Sequence, residues 1–311
     1  MTDTTTLGAN IPRADDTGFT SLFVTAQDGL RLHVRAYGTR GGRGLPIVCL
    51  PCLTRTSADF HELAIALSSD AAQPRWVTAI DARGRGRSDY DRNPDNYSFP
   101  VELGDVLAVL TALEIGPAVF VGTSRGGILA MMLGSARPAA IAGVILNDIG
   151  PVIDAKGLVR IKGYAGRLPT PRSFEEGAEI LRRLGDAQFT RLSAQDWLRQ
   201  AKQTWKVTER GLVLDYDPKL AKTLEEVDLE RPLPAIWGAF DSLARVPLMV
   251  VHGRNSDILS AATVDAMRAR RLDIDVLEVP DQGHAPLLAE PDVIARIAAF
   301  VTLCDVSTLG F

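Results

Sequence analysis

Short apolar runs alternate with amphipathic stretches along most of this chain. Continuous or alternating apolar positions predict strands, and apolar positions recurring every three or four residues predict helices. The strand–helix order predicts an α/β fold with a mostly parallel sheet and helices on both faces. The predicted strands are 19–26, 30–36, 46–50, 76–80, 118–121, 143–146, 247–251 and 274–279. The predicted helices are 57–67, 101–113, 128–133, 260–271 and 292–303.

The alternation stops in the middle of the chain, where amphipathic helical patterns such as 174–184 and 194–206 follow one another. The simplest organisation is one sheet domain interrupted by a helical cap. A polar segment at the beginning of the chain is expected to be flexible. We therefore predict an arm at 1–18, a core of 19–151 and 242–306, and a cap at 152–241.

Composition excludes several classes of protein. The chain has 311 residues, 46% of them hydrophobic, with a net charge of -4. Interspersed charges without a basic block argue against nucleic acid as a partner. No signal peptide or membrane-spanning apolar run is visible, so neither membrane association nor secretion is expected.

The three cysteines are an odd number. Cys49 and Cys52 have a redox or metal spacing, but Cys49 lies inside a predicted strand, which favours a buried structural thiol. No second cysteine or histidine pair stands at zinc spacing. A reducing cytoplasmic compartment is therefore expected.

The first candidate for chemistry is the motif Gly122-Thr123-Ser124-Arg125-Gly126, between a predicted strand and a predicted helix. A serine on such a sharp turn presents its hydroxyl clear of the chain. Glycine is required at 122 and 126 because a side chain would collide with the neighbouring strand or helix. The alternative is a strand-to-helix turn with no chemistry.

A serine nucleophile needs a histidine base that is oriented by a carboxylate. Of the four histidines, His284 is favoured because it follows the last predicted strand and can reach the carboxyl edge of the sheet. Asp257 is favoured as the acid, since Ser124, Asp257 and His284 then occur in the expected order. Asp148, which also ends a predicted strand, is the alternative acid.

Together these motifs resemble those of the α/β-hydrolase family over roughly residues 19–303. The run Arg83-Gly84-Arg85-Gly86-Arg87-Ser88 is similar to the family's Arg-Gly-x-Gly-x-Ser loop. The insertion at 152–241 stands where the family has its substrate-selecting cap. The resemblance implies an α/β-hydrolase fold and serine catalysis without a metal or organic cofactor.

One motif departs from the family pattern. The family usually has His-Gly-x after its third strand, and the amide of x is half of the oxyanion hole; this chain has Pro51-Cys52-Leu53. By position, the oxyanion donors are the backbone amides of Leu53 and Arg125. Cys52, Arg55 and Trp237 are candidate substrate-binding residues.

The favoured function is hydrolysis of a small-molecule carboxylic ester or lactone by Ser124, His284 and Asp257. A second hypothesis keeps the same serine site, but the reaction is hydrolysis of a carbon–carbon bond or of an enol-lactone from an aromatic degradation pathway. A third reading is a non-catalytic ligand-binding module on the same fold, because fold does not determine function. An aspartate nucleophile is disfavoured by Ser124, and a homodimer is left open.

Overall fold

A mixed eight-stranded sheet forms the centre of the protein. The computed structural model describes residues 18–42, 44–225, 227–228 and 233–308, so most of the predicted flexible arm lies outside the described residues. The strands are β1 (Thr20–Thr25), β2 (Arg31–Tyr37), β3 (Ile47–Leu50), β4 (Val77–Ile80), β5 (Ala118–Thr123), β6 (Ile141–Asn147), β7 (Trp205–Thr208), β8 (Gly211–Leu214), β9 (Leu248–Gly253) and β10 (Asp275–Val279). The α-helices are α1 (His61–Ser68), α2 (Phe99–Ala112), α3 (Arg125–Ala136), α4 (Ala155–Tyr164), α5 (Phe174–Gly185), α6 (Ala194–Thr204), α7 (Lys222–Glu225), α8 (Trp237–Asp241), α9 (Ala261–Arg270) and α10 (Pro291–Thr308).

The strand order in the sheet is β1-β2-β4-β3-β5-β6-β9-β10. Strand β2 pairs antiparallel with β1 and β4, and the other neighbours are parallel. The predicted α/β class and mostly parallel sheet are confirmed. Because parallel strands end at one edge, this topology gathers the loops after β3, β5, β6, β9 and β10.

Both faces of the sheet are buried under helices. In β3, Val48 and Leu50 belong to one apolar cluster, whereas Ile47 and Cys49 belong to the other. This division follows from the two-residue period of a strand, in which successive side chains point to opposite faces. Helices α2 and α3 contribute to the first cluster, and α1 and α10 contribute to the second.

Helices α4 to α8 and a β7–β8 hairpin occupy the chain between β6 and β9. Trp197 and Trp205 pack in a small apolar cluster that is separate from the two sheet clusters. The predicted helix at 194–206 ends at Thr204, because the chain continues into the hairpin that the sequence pattern missed. A four-residue strand that follows a helix directly is too short for periodicity to separate from the helix end. The division into core and cap stays a prediction.

The crossing of α3 over β3 depends on glycine. A Cβ atom on Gly126 would lie 2.1 Å from the carbonyl oxygen of Leu50. A Cβ atom on Gly122 would lie 2.5 Å from the Cα of Gly127. The predicted collisions are confirmed, and they involve backbone atoms that cannot rotate away.

We predict that Gly126→Ala lowers the free energy of unfolding by about 1–3 kcal/mol, because the methyl group must push α3 away from β3. Urea unfolding of the purified variant measures this change. Gly104→Ala is the control, because a Cβ atom there has nothing within 4 Å. Alanine in place of helical glycine is expected to stabilise by up to about 1 kcal/mol at that site. Equal effects of the two substitutions would contradict the packing argument.

Candidate active site

Ser124 stands at a strained turn between β5 and α3. It is the N-cap of α3 with φ 52 and ψ -113, a conformation that residues with a side chain rarely adopt. Its amide donates to the carbonyl oxygen of Asn147 at the end of β6, at 3.0 Å. Such strain persists only where the surrounding structure imposes it, and here the strand and helix on both sides do so.

His284 reaches Ser124 from the loop between β10 and α10. Its Nε2 atom lies 2.8 Å from the Oγ of Ser124. The amide of His284 donates to the side chain of Gln188, and the side chain of Asn147 donates to the carbonyl oxygen of Pro286. These bonds attach the histidine loop to the insertion on one side and to β6 on the other. The structure therefore brings the predicted serine and histidine together.

The carboxylate that contacts His284 is Asp148. Its Oδ2 lies 2.8 Å from the Nδ1 of His284 and accepts a hydrogen bond from the hydroxyl of Ser256 at 2.5 Å. Its Oδ1 accepts from the amide of Gly253 at 2.9 Å. The side chain of Asp148 is fully buried. A carboxylate with this many donors is fixed in orientation, with one oxygen facing the Nδ1 of His284.

Asp257, the favoured acid at the sequence level, does not contact His284. Its two oxygens accept from the Nε and Nη2 atoms of Arg160 on α4, at 2.7 and 2.9 Å. Burial of Asp257 raises the pKa of the carboxyl, but hydrogen bonds from Arg160 and Gln188 outweigh burial and leave it below the ordinary value. Asp257 is therefore the partner of an arginine from the insertion, and Asp148 takes the position expected for Asp257.

Ser124 and His284 open on a cavity of about 190 Å³. Cys52 and Leu53, which follow β3, form part of its wall. The insertion contributes a mainly apolar wall: Ile161, Tyr164, Leu168, Leu181, Leu184, Phe189 and Trp197. The insertion also contributes polar and charged side chains to the lining: Arg160, Arg199, Gln200, Gln203 and Thr204. A concave site that combines apolar walls with polar groups is typical of small-molecule binding.

Two of the three predicted substrate-binding residues line the cavity. Cys52 lines the cavity, and burial raises the pKa of its thiol to about 11, so the thiol stays protonated near neutral pH. Arg55 also lines the cavity, but its guanidinium donates to both oxygens of Asp59. It also donates to Gln200 and Thr204 of α6, so it connects the loop after β3 to the insertion.

Trp237 and the side chain of Arg125 lie elsewhere. Trp237, at the start of α8, packs against Phe240 with ring centroids 5.7 Å apart, outside the residues that line the cavity. The guanidinium of Arg125 pairs with Glu102 of α2 rather than facing the cavity. The backbone amide of Arg125 still begins α3 directly after Ser124, next to the cavity.

A second Ser–His–Asp arrangement occurs away from the cavity. The Nε2 of His33 lies 3.1 Å from the Oγ of Ser21, and its Nδ1 lies 2.7 Å from Asp81. His33 and Asp81 are buried, and Arg87 donates to the hydroxyl of Ser21. None of these residues lines the cavity that contains Ser124. This arrangement satisfies buried polar groups, and it provides an internal control for Ser124.

Three further observations concern the thiol of Cys49, metal binding and membrane-spanning helices. Cys49 is buried within β3, as predicted. Within the described part of the chain, no group of three or more His, Cys, Asp or Glu residues is arranged to hold a metal ion. None of the helices in that part is both long enough and apolar enough to cross a membrane.

Comparison with known proteins agrees with this fold. Residues 47–297 match the model of the Alpha/beta hydrolase family. The chain belongs to this family. The resemblance noted in the sequence motifs is thereby confirmed.

Three of the similar proteins are hydrolases. A 3-hydroxybutyrate-oligomer hydrolase of Cupriavidus necator is 32% identical over 90% of this chain and 97% of its own length. A 2-(acetamidomethylene)succinate hydrolase of Mesorhizobium japonicum is 24% identical over 78% of this chain and 83% of its own length. An alpha/beta hydrolase from Novosphingobium aromaticivorans superposes with a TM-score of 0.82 at 38% identity, covering 92% of this chain and 98% of that one.

Sequence reasoning missed the polar residues that support the site. Asn147 connects the serine turn to the histidine loop, Ser256 donates to Asp148, and Gln188 binds the amide of His284. Asn147 is adjacent to Asp148 at the end of β6, and this position was the only signal available. The pairings of Ser256 and Gln188 join residues 108 and 96 positions away along the chain.

We predict that Asp148→Asn slows the reaction of Ser124 with a fluorophosphonate probe by about 10³- to 10⁴-fold, because an amide no longer stabilises the charged imidazole. Asp257→Asn is the matched control and is expected to slow it less than about 10-fold, since Asp257 accepts from Arg160 and Gln188 and not from His284. Labelling rates followed by mass spectrometry measure both. A larger loss in Asp257→Asn would restore Asp257 as the acid.

Proposed function

We propose that this protein is a serine hydrolase that cleaves small carboxylic esters through an acyl-enzyme intermediate. The observation that carries the proposal is the hydrogen-bonded chain from Asp148 through His284 to Ser124, with 2.8 Å at each histidine nitrogen, facing a cavity. Nucleophile, base and orienting carboxylate are recognised by such geometry rather than by sequence position.

The proposed reaction has two steps. The Oγ of Ser124 attacks the ester carbonyl carbon while the Nε2 of His284 takes the hydroxyl proton, and this proton then passes to the leaving alcohol. Water attacks the acyl-enzyme, and His284 again accepts and returns a proton, so that the acid is released. Asp148 keeps the other imidazole proton on Nδ1 and stabilises the charged ring. The steps require no metal or organic cofactor.

The oxyanion that forms on the carbonyl oxygen needs hydrogen-bond donors. We assign this role to the backbone amides of Leu53 and Arg125. Each donor of this kind contributes about 3 kcal/mol in serine hydrolases. Leu53 lines the cavity and Arg125 begins α3, which supports the assignment.

The wall of the cavity favours a short aliphatic acyl group. Leucine, isoleucine and aromatic side chains of the insertion line the cavity that contains Ser124, together with polar and charged side chains. We therefore propose that residues 152–241 act as a cap that selects the substrate. The relative that acts on 3-hydroxybutyrate oligomers suggests short hydroxyacyl esters as the substrate class. These oligomers offer a small branched acyl unit and an ester in every repeat.

We predict that the wild-type protein hydrolyses 3-hydroxybutyrate dimers and trimers and short p-nitrophenyl esters. Ser124→Ala is expected to lower kcat by about 10⁴-fold or more, because no other group supplies the nucleophile. Release of 3-hydroxybutyrate and of p-nitrophenol measures the two activities. Ser21→Ala, which removes the serine of the second Ser–His–Asp arrangement, is the matched control and is expected to retain full activity.

A substrate panel separates this proposal from its alternatives. Turnover of a ring-cleavage diketone or an enol-lactone, without turnover of any saturated ester, would favour carbon–carbon or enol-lactone hydrolysis by the same residues. Binding of esters without turnover or probe labelling would favour a ligand-binding module. Undiminished labelling of Ser124→Ala would contradict the assignment of the nucleophile.

A further inference from the structure

Three charged side chains form a buried network beside Ser124. Glu102 of α2 accepts from the Nη1 of Arg85 at 2.9 Å through one oxygen, and from the Nε of Arg125 at 2.6 Å through the other. The side chains of Arg85 and Glu102 are each 1% exposed, and that of Arg125 is 10% exposed. One carboxylate therefore joins the residue after the nucleophile to the Arg-Gly loop.

The guanidinium of Arg85 also binds the loop after β3. Its Nε donates to the carbonyl oxygen of Leu53 at 2.6 Å, and its Nη1 also donates to the carbonyl oxygen of Arg83. Fixing the carbonyl of Leu53 restrains the planar peptide unit that joins Leu53 to Thr54, and this unit includes the Cα atom of Leu53, to which the amide of Leu53 is attached. The side chain of Leu53 packs against Tyr97 and Tyr216, which supports the same position.

Arg125 is held equally firmly. Its Nη2 donates to the carbonyl oxygen of Tyr97 at 2.9 Å, and its guanidinium carbon lies 4.0 Å from the centroid of the Phe99 ring. These contacts attach the first residue of α3 to the first turn of α2. The backbone amide of Arg125 is thus positioned by its side chain as well as by the helix that it begins.

Stability alone does not account for this network. Two buried arginines share one carboxylate, and burial of such charges costs free energy that an ion pair only partly repays. Burial raises the pKa of Glu102, but Arg85 and Arg125 outweigh burial and leave it below the ordinary value, so the carboxyl stays ionised. A buried network of this kind is therefore weak evidence for added stability.

We propose that Glu102 is a positioning residue for the oxyanion hole: through Arg85 and Arg125 it sets the separation of the amides of Leu53 and Arg125. This inference rests on the proposed ester hydrolysis. It also accounts for a loop with Cys52 where the family usually has glycine, because side-chain anchors hold the backbone of the next residue in place. The two donors are then preorganised before an oxyanion forms.

The test compares binding of the transition state with binding of the ground state. Glu102→Gln is expected to lower kcat for p-nitrophenyl butyrate by about 10- to 100-fold, because displaced backbone amides bind the oxyanion less well. KM is expected to change little, because only the oxyanion is affected. The inhibition constant of an alkyl boronic acid, which forms a tetrahedral anion on Ser124, is expected to rise by the same factor as kcat/KM falls. A residue that contributed only to stability would not change kcat/KM and the inhibition constant by the same factor.

Asp105→Asn is the matched control. Asp105 lies on the same helix, is buried, and accepts from Arg83, which is two positions from Arg85 in the Arg-Gly loop. Asp105 touches neither Leu53 nor Arg125. Its loss is therefore expected to reduce stability, while kcat and boronate affinity stay within about 2-fold of the wild-type values. Assays are made well below the melting temperature of each variant.

Arg125→Met keeps the test possible if Glu102→Gln does not fold, because this change retains the Arg85–Glu102 pair and the backbone amide. It is expected to lower kcat/KM and boronate affinity together. In the double variant the losses are expected not to add, because both residues act through one network.

The outcomes separate the inference from the proposed function. If the wild-type protein hydrolyses esters, unchanged boronate affinity in Glu102→Gln and Arg125→Met would overturn the positioning role alone. Equal losses in the control Asp105→Asn would do the same. A wild-type protein with neither ester turnover nor fluorophosphonate labelling would overturn the proposed function and this inference with it. Parallel losses in kcat/KM and boronate affinity, absent from the control, would support both.

Discussion

The close approach of α3 to β3 is the constraint on which the site depends. The helix crosses the strand with Gly126 against the backbone of Leu50, at a distance that no side chain permits. This contact forces the chain to turn sharply at Ser124, which then adopts a positive φ. The strain is offset by packing of the strand and helix on either side, because a buried core is dense and cannot relax around one residue. The exposed hydroxyl is a consequence of that packing.

The order of the strands then decides which groups meet the hydroxyl. Strands β5, β6 and β9 are neighbours, so the loops after them end at one edge. Asp148 directly follows β6 and contacts His284. Gly253 at the end of β9 and Ser256 in the loop after β9 donate to it. Asp257 lies further along that loop and is already satisfied by Arg160. Two carboxylates at one edge thus have different partners and different roles.

The Arg-Gly loop connects several parts of the molecule at once. Arg83 binds Asp105 of α2, whereas Arg85 binds Glu102 and the carbonyl of Leu53. The backbone of the loop also pairs with the insertion, because the amide of Gly86 donates to the carbonyl oxygen of Asp215. The same loop therefore contacts the core helix, the wall of the cavity and the insertion, so a displacement of one of them is resisted by the others.

The sequence alone determined the α/β class, all eight strands of the central sheet, the turn at Ser124 and the choice of His284. These features depend on local signals: apolar periodicity, glycines at a sharp turn, and the position of a residue relative to a strand end. Only the tertiary structure decided the carboxylate and the supporting network. Arg160 and Asp257 are 97 residues apart along the chain, and Arg85 and Leu53 are 32 apart. Periodicity carries no information on pairings at such separations, which arise when the packed sheet and the insertion bring distant polar groups together away from water.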